Sequence, residues 1–519
     1  MKRFFASIMA CAMIIMLASC ELRGILKKPD QPQEMAEPAE QKAVANTIAV
    51  GIYGLDTFNP LTTKSQTVRE ALEFIYEPMF TLNEQVQPEP VLAKDCIMSS
   101  DGRSAVVNLR DDVKWHNGDG FDAYDAAYTI RCIKENETAY ANMLEDIASW
   151  KAIDQYQLFV SFDRSIPNAA ALLTFPVIKY NTPMDKDVTP IGTGPFAYSG
   201  KISTDRYMLN AFDYYYGEKS NLDGVYIDEA PDAEHYVYMY SSGAFDVATS
   251  KTLDLRTYTP RGSAVMNEYI TDRLILLGIN NEKIELQGLN TRLALSQLID
   301  KEHIVSSILY SRAVQTDVPI NPWFWLYDGR KSVEDGLSAE GHIRIDAWTD
   351  RDNGGYTRRL NGQRQYLDLD LLVNSENEEK VKIAQAIADN FNRYGVKTKL
   401  IKLPYEQYVA RVESKQYDLF IGEYNLPPTQ DMSVLLGNSN VFNYANENMQ
   451  SLISQIGMTS EPEQLKELYG QFGEMFTAEM PFVPIAYVKE CMMSSPKLKN
   501  IKAPGGAGFF RMPGVWSLK

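Results

Sequence analysis

Residue types that usually carry catalysis or bind metals are scarce in this sequence. Its 519 residues include five cysteines and four histidines. The histidines (His116, His235, His303 and His342) are scattered singly, and neither a C-x-x-C pair nor an H-E-x-x-H motif occurs. The phosphate-binding G-x-x-x-x-G-K-S/T loop and the G-x-S-x-G turn of esterases are also absent. The sequence therefore predicts no resident metal, no cofactor and no enzymatic activity.

Positive charge is also scarce relative to negative charge. The chain has 51 Lys and Arg against 68 Asp and Glu, a net charge of −17. Phosphate backbones repel an acidic chain at long range, so we expect no nucleic-acid partner. Apolar residues make up 45% and charged residues 23% of the chain, as in ordinary globular proteins. The length allows two or three domains with large cores.

Long apolar runs are missing except at the N-terminus. There, Lys2-Arg3 precedes an apolar run shorter than the ~20 residues that span a bilayer. The run ends in Leu17-Ala18-Ser19-Cys20, which resembles the lipobox of bacterial lipoproteins. We predict a lipoprotein signal peptide at residues 1–19 and a lipid anchor on Cys20. Residues 20–45 are polar and lack aromatics, which predicts a flexible tether. An ordinary secretory leader with a chance cysteine is the alternative.

Three cysteines remain after the predicted processing: Cys96, Cys132 and Cys491. Their odd number and wide spacing argue against a disulfide framework, so buried free thiols are expected. A disulfide between Cys96 and Cys132 is the alternative.

The second half of the chain alternates strand and helix signals. Strand patterns at 366–373, 396–403 and 417–424 are separated by helix patterns at 378–394 and 405–414. This β-α-β-α-β run predicts an open, largely parallel sheet. The folded body as a whole is predicted to be mixed α/β.

Local signals predict where several helices begin and end. Ser65 and Asp122 are expected to cap helices that begin beside them, and Gly395 to end a later helix. The pattern over 290–310 predicts one long helix, or two short helices broken near Asp300.

Short blocks occur along the chain in an order that is typical of one protein family. They are 56–61 (DTFNPL), 75–79 (IYEPM), 92–102, 109–118 (LRDDVKWHNG), 121–133, 190–196 (PIGTGPF), 213–217 (DYYYG), 242–248 (SGAFDVA) and 290–304. From about Asn46 to its C-terminus the chain resembles the extracellular solute-binding proteins of family 5. These are the dipeptide-, oligopeptide- and nickel-binding lipoproteins of ABC importers.

Two of these blocks also have a local interpretation. Gly192 and Gly194 are expected to adopt positive φ, and Pro195 to fix the exit, so that the chain turns sharply between domains. His116 is expected in a turn and not at a metal. We interpret these blocks as features that maintain the fold, not as the ligand site.

The resemblance implies a periplasmic-binding-protein-like fold (type II) of two α/β lobes with a hinge between them and an extra subdomain. The expected divisions are lobe I at 46–277 including the subdomain at 76–189, lobe II at 278–491, and a C-terminal return to lobe I at 492–519. The two segments that cross between the lobes are expected near 277–281 and 485–491.

The resemblance also implies a function. We expect a substrate-binding lipoprotein that captures an extracellular solute, in the first instance a peptide, between its lobes and delivers it to an ABC permease. It is expected to be a monomer, held by lipid at the outer face of the membrane or in the periplasm. One alternative is the same fold binding an oligosaccharide or a chelated metal. Another is a surface sensor or interaction protein that does not transport.

Peptide-binding members commonly hold the N-terminal ammonium of the peptide with an Asp in the segment after the strand at 417–424. In this chain Glu423 stands where Trp is common and Thr429 where a first Asp would lie, which leaves Asp431 as the expected anchor. The alternative is that Asp431 only caps a helix starting at Met432. These departures from the family pattern favour a non-peptide solute as the second hypothesis.

Aromatic side chains complete the expected ligand site. The densest aromatic cluster is 322–327 (PWFWLY), and the corresponding stretch of the family borders the cleft. Packing in the core is the alternative for these rings. Besides Asp431, the expected ligand-binding residues are Tyr424, Asn425, Trp323, Trp325, Tyr53 and Phe58.

Overall fold

The computed structural model describes residues 45–184, 189–250, 264–333, 335–352, 354–501 and 515–519. The predicted signal peptide and Cys20 lie outside these residues, as does the predicted tether up to Val44. None of the helices described is both long and apolar enough to cross a bilayer.

Strands and helices alternate along the described chain. The strands β1 to β22 are, in order, Thr47–Tyr53, Phe80–Leu82, Pro88–Pro90, Ala93–Met98, Ser104–Leu109, Ile147–Asp154, Gln157–Phe162, Phe196–Ser203, Arg206–Ala211, Gly224–Ala230, Val247–Ser250, Val265–Ile279, Ala313–Gln315, Thr349–Asp350, Tyr356–Leu360, Gln363–Tyr366, Asp368–Asn374, Lys397–Leu403, Leu419–Asn425, Val483–Ser494, Leu498–Lys499 and Ser517–Leu518. The helices α1 to α11 are Gln66–Ala71, Ala123–Glu135, Ala233–Ser242, Leu289–Gln297, Lys301–His303, Ala339–Ile345, Glu378–Arg393, Tyr405–Glu413, Ser433–Leu436, Glu447–Met458 and Pro462–Glu479. Short 3₁₀ or π turns occupy Leu72–Phe74, Ala141–Leu144, Ala169–Leu172 and Ile304–Ile308.

Most of the larger strands belong to one mixed sheet in the order β18-β17-β19-β12-β20-β11-β1-β10-β9-β8, with β13 also pairing with β20. The predicted β-α-β-α-β run is confirmed: β17 pairs in parallel with both β18 and β19, and α7 and α8 connect them. The prediction of a largely parallel sheet is wrong for the sheet as a whole, because most of its other pairings, such as β12 with β19 and β20, are antiparallel. β1 is buried along nearly its whole length, as expected of a strand with both faces covered.

Two neighbouring antiparallel strands, β12 and β20, join the two halves of this sheet. Residues 265–270 of β12 pair with β20 in the stretch where β20 also pairs with β11 of the first half. Residues 273–279 of β12 pair with β19 of the second half. The register of β12 on β20 shifts between Ile270 and Leu274, so the halves meet at a β-bulge.

A separate antiparallel sheet has the order β4-β5-β7-β6. Buried and partly exposed residues alternate along β5, the period-two pattern of a strand with one face on a core. Helix α2 packs on this sheet, with Ala126, Ile130 and Ile133 buried as predicted. We call residues 76–184, which contain this sheet, the small-sheet unit.

Most of the predicted helix ends are confirmed. Ser65 accepts a hydrogen bond from Val68 N, and Asp122 forms a capping box with Asp125 at the start of α2. Gly395 follows α7 with a φ of 86°. The chain near Asp300 forms two short helices and not one long helix. Helix α4 ends before Asp300, and the Asp300 carboxylate caps α5.

Three large apolar clusters form the core. One runs from β1 through the small-sheet unit to Trp516. The other two cover opposite faces of the second half of the main sheet: Leu274 and Leu276 belong to one, Ile275 and Leu277 to the other.

The expectation of buried thiols is confirmed for two of the three cysteines. Cys132 and Cys491 are buried and Cys96 is partly buried. Cys96 and Cys132 are not bonded to each other, so the disulfide alternative is wrong.

Candidate functional site

Several of the sequence blocks meet at one buried carboxylate, that of Glu77. Thr193 Oγ1 donates to its Oε2 at 2.9 Å, and the hydroxyls of Tyr215 and Tyr216 donate to its Oε1 at 2.7 and 3.1 Å. Arg110 lies 4.6 Å from the centroid of the Tyr216 ring. Burial raises the pKa of Glu77 to about 7, although the three hydroxyls favour the ionised form. This cluster ties the small-sheet unit to the first half of the main sheet.

The glycines beside this cluster are needed for a different reason from the one predicted. Neither Gly192 nor Gly194 has a positive φ, so that prediction is wrong. A Cβ on Gly192 would lie 1.8 Å from the carbonyl oxygen of Ile75, and Gly194 N donates to the same oxygen at 2.9 Å. Close approach of two backbones requires a residue without a side chain at this point.

His116 holds the same loop from its other side. Its Nδ1 accepts from Gly192 N at 3.2 Å, and its Nε2 lies 2.9 Å from the carbonyl oxygen of Gly194, to which it donates. Burial lowers the pKa of His116 to about 4, so the ring is neutral and one nitrogen is free to accept. Glu77, His116 and the Gly192–Gly194 loop together form what we call the junction. The expectation that these blocks maintain the fold agrees with these contacts.

The predicted anchor Asp431 lies at a different contact, between the small-sheet unit and the second half of the main sheet. Its side chain is 6% exposed and forms an ion pair with Arg164 of the small-sheet unit. Its Oδ1 accepts from Ser433 N, the first residue of α9, at 2.9 Å. Asp431 therefore precedes the N-cap residue Met432 and accepts from the first residue of the helix, while it also pairs with a cation. We call this contact, together with the aromatic segment described next, the seam.

The aromatic segment 322–327 divides between core and surface. Phe324 is buried, with its ring centroid 5.1 Å from that of Tyr469. Trp323 is 42% exposed, and Trp325 is partly buried with its backbone N donating to the carbonyl oxygen of Gln85 at 2.9 Å. An open pocket of about 450 Å³ at the seam is lined by Glu84, Gln85, Pro322, Trp323, Phe324, Trp325 and Tyr327. The rings at 323 and 325 are thus available to a ligand, whereas Phe324 is a core residue.

A hydrogen-bonded network connects the seam to the bulge of β12. Asp272, in the bulge, accepts from Gln430 Nε2 at 2.8 Å and from Asn321 Nδ2 at 3.1 Å. Gln430 Oε1 in turn accepts from Asn321 N at 2.9 Å. Burial raises the pKa of Asp272 to about 7. Gln430, which precedes Asp431, and Asn321, which accepts from Trp323 N, are thereby held to β12, a strand that joins the two halves.

A charged group that the sequence analysis did not find lies at the end of β19. Arg273 and Lys380 each place a nitrogen 3.1 Å from the Glu423 carboxylate, and Arg273 lies 3.5 Å from Glu490. Burial alone would raise the pKa of Glu423, but the two cations outweigh it and lower it. The carboxyl ends of parallel strands are the usual ligand edge of such sheets. The one sequence signal for this charged group was that Glu423 stands where Trp is common in the family.

The remaining predicted residues are distributed over both halves. Tyr424 packs against Phe442, with ring centroids 6.3 Å apart, and Asn425 is exposed at the end of β19. Tyr53 contacts Tyr236 at 5.3 Å, in the first half.

Phe58 also lies in the first half, where its ring centroid is 5.0 Å from that of Tyr207. Within the described residues, the structure joins neither Tyr53 nor Phe58 to Asp431 or to the two tryptophans.

Two α/β halves joined by a pair of neighbouring strands, with an extra unit packed at one side, define a two-lobed solute-binding fold. The family model "Bacterial extracellular solute-binding proteins, family 5 Middle" matches residues 87–446, and the chain belongs to this family. It is one of the extracytoplasmic binding proteins that serve ABC importers.

Characterised relatives match over most of their length. The chain is 24% identical to the nickel-binding periplasmic protein of Escherichia coli (strain K12), over 85% of this chain and 89% of that protein. It is 21% identical to the peptide transport periplasmic protein SapA of Haemophilus influenzae, over 86% of this chain and 89% of that protein. The crystal structure of a nickel ABC transporter protein from Bacillus halodurans matches with a TM-score of 0.77 at 19% identity, over 91% of this chain and 100% of that chain.

Proposed function

We propose that this protein captures a peptide between its two lobes and delivers it to the permease of an ABC importer. It acts as a binding protein and not as an enzyme, as a monomer, and it is held to the membrane by lipid on Cys20. Family membership and the peptide-transport relative support the peptide assignment. The observation that supports the proposal is that Asp431 pairs with Arg164 of the small-sheet unit, while Trp323 and Trp325 line a pocket with Glu84 and Gln85 of the same unit.

Capture requires that the lobes move. We propose that the bulge between Ile270 and Leu274 of β12, together with β20 beside it, is the hinge. We keep the predicted lobes, 46–277 with 492–519 and 278–491, as proposed bounds. A ligand closes the lobes only if it makes better contacts in the closed state than in the open state.

The seam offers contacts of the kind that a peptide needs. The Asp431 carboxylate is a charged acceptor that suits the N-terminal ammonium, and the exposed face of Trp323 suits an apolar side chain. Asp431 is already paired with Arg164, so an ammonium must replace this guanidinium to reach it. Tyr53, Phe58, Tyr424 and Asn425 remain proposed contacts of lower rank, since their described contacts lie elsewhere.

A chelated metal is the second candidate ligand, and one observation favours it. Glu423 and Asp431 are both neutralised by cations of the chain itself, which leaves fewer carboxylates for a peptide ammonium. The nickel-binding relative points in the same direction.

Native mass spectrometry of the freshly purified mature protein separates these candidates. A peptide ligand is expected as a set of bound masses that di- to hexapeptides displace, with a matching rise in melting temperature by mass action. Asp431→Asn is expected to weaken binding of peptides with a free N-terminus and to leave N-acetylated peptides unaffected. A bound mass containing nickel or another metal, with no response to any peptide pool, would contradict the peptide assignment.

The lipid anchor has its own test. Cys20→Ala is expected to release the protein from the membrane fraction and to abolish metabolic labelling with a fatty acid. A protein that stays membrane-bound after this substitution would contradict the lipid anchor on Cys20. It would leave the assignment of the ligand unchanged.

A further inference from the structure

Arg164 follows β7 and is fixed firmly on its own side of the seam. Its Nε donates to Asp146 Oδ1 at 2.8 Å and its Nη2 donates to Asp146 Oδ2 at 2.5 Å. A bidentate pair of this kind fixes the plane of the guanidinium. The remaining terminal nitrogen, Nη1, is left to bond across the seam.

That nitrogen bonds two residues of the opposite side. Arg164 Nη1 donates to Asp431 Oδ2 and to Ser433 Oγ, the latter at 3.1 Å. The Asp431 side chain is 6% exposed against 36% for Arg164, so the carboxylate depends on this cation more than the reverse. Burial alone would lower the pKa of Arg164, but Asp146 and Asp431 outweigh it and raise it, so the guanidinium stays charged.

The apolar contacts across the seam are buried, but they involve fewer residues of the small-sheet unit than the junction does. Gln85 accepts one backbone hydrogen bond from Trp325. Leu82, Val86 and Ala171 of the small-sheet unit pack into the apolar cluster of the opposite side. By contrast, the small-sheet unit shares a continuous core with the first half of the main sheet. The seam is therefore the side on which the unit separates when the lobes open.

The ion pair is also next to the proposed hinge. Asp431 follows Gln430 in the chain, and Gln430 donates to Asp272 in the bulge of β12. Movement at the bulge thus displaces the segment that carries Asp431.

We propose that Arg164 is an internal latch, which occupies Asp431 and keeps the seam closed in the solute-free protein until a cationic group of the solute replaces it. Arg164 is then a residue that determines specificity, because a ligand without such a group gains nothing at Asp431. The statement about the ligand rests on the proposed peptide function, whereas the latch itself does not.

Distance measurement on the solute-free protein tests the latch. Glu137 of the small-sheet unit and Glu463 on α11 are exposed and can be replaced by cysteine for spin labels. The wild type is expected to show mainly the short distance. Arg164→Ala is expected to lower the ratio of closed to open molecules roughly tenfold or more, because it leaves a buried carboxylate unpaired.

A matched control is available on the surface of the second half. Arg344 pairs with Glu340 and Asp350, whose side chains are 68% and 71% exposed, so Arg344→Ala is expected to leave the distances unchanged. Distances in Arg164→Ala that equal those of the wild type would overturn the latch. Should Arg164→Ala fold poorly, Asp431→Asn removes the same ion pair from the other side. It is expected to raise the open fraction as well, by less than Arg164→Ala, because Arg164 keeps its pair with Asp146; an unchanged open fraction would overturn the latch.

Peptide binding provides a second test of the proposal. Between Arg164→Ala and the wild type, the preference for free over N-acetylated di- to hexapeptides is expected to rise roughly tenfold, because Asp431 has lost its competitor. An unchanged preference would overturn the role of Arg164 in specificity. An opened seam with no peptide bound by either protein would support the latch and contradict the peptide function.

Discussion

The small-sheet unit makes two contacts with the rest of the molecule, and they differ in kind. At the junction, Glu77 accepts three hydroxyls, His116 bonds both glycines of a loop, and a continuous apolar core surrounds them. At the seam, the main polar contact is the ion pair of Arg164 with Asp431, and Glu84 and Gln85 of the unit line an open pocket with the aromatic segment.

The two kinds of contact indicate which parts of the molecule move together. Buried hydrogen bonds and close backbone packing tolerate no separation, because each buried group would lose its partner. The guanidinium of Arg164 is 36% exposed, so the ion pair at the seam can exchange one cation for another at smaller cost. A binding protein that closes on a solute needs one contact of each type.

The largest effect is expected from breaking the junction. Gly192→Ala would place a Cβ 1.8 Å from the Ile75 carbonyl oxygen, so we expect the free energy of unfolding to fall by about 4 kcal/mol. Urea denaturation measures this loss. Gly120→Ala is the matched control, since a Cβ there meets nothing within 4 Å and its φ is not positive. Equal stability of the two variants would contradict the account of the junction.

The second largest effect is expected from pH, because the free energy of unfolding should depend on the ionisation of Glu77 at the junction. The pKa of Glu77 is raised by burial from 4.5 to about 7, so the folded state favours its protonated form. The stabilisation is complete below pH 4.5 and is lost as the pH rises through 7.

Glu77→Gln is expected to remove this pH dependence, which amounts to about 3 kcal/mol across that window. Denaturation at pH 5 and pH 8 checks it, and a variant whose pH dependence equals that of the wild type would contradict the assignment.

A smaller loss of stability is expected at the seam. Arg164→Ala should lower the free energy of unfolding by about 1 kcal/mol, discounted because the guanidinium is 36% exposed, with Arg344→Ala close to zero. Added salt should narrow the gap between these two variants. A loss as large as that of Gly192→Ala would remove the distinction between junction and seam.

The smallest effect on stability is expected at the aromatic pocket. Trp323 is 42% exposed, so Trp323→Ala should change the free energy of unfolding by less than about 0.5 kcal/mol while weakening solute binding. Phe324→Ala, one residue further, removes a buried ring and should cost about 3 kcal/mol. Titration of the solute into both variants separates a binding role from a packing role.

Much of the architecture was predictable from local patterns. The caps at Ser65 and Asp122, the helix end at Gly395 and the parallel run around β17 depend on neighbouring residues, and the structure confirms them. The order of blocks likewise identified the family before any contact was known.

The contacts that distinguish seam from junction were not predictable in this way. Arg164 and Asp431 are 267 residues apart, and Gly192 is required by a carbonyl group of a distant residue. Such partners are determined by the tertiary fold. The sequence did place Asp431 and Trp323 among the candidate residues, but it carried no sign of the cation that pairs with Asp431.

The most direct test compares two label pairs in one protein as the solute is added and removed. One pair, at Glu137 and Glu463, spans the seam; the other, at Glu137 and the exposed Lys219, spans the junction. We predict that Arg164→Ala lengthens the first distance in the solute-free protein, that bound solute shortens it again in this variant, and that the second distance stays unchanged. Movement across the junction, or a seam distance that responds to neither, would contradict capture by closure at the seam.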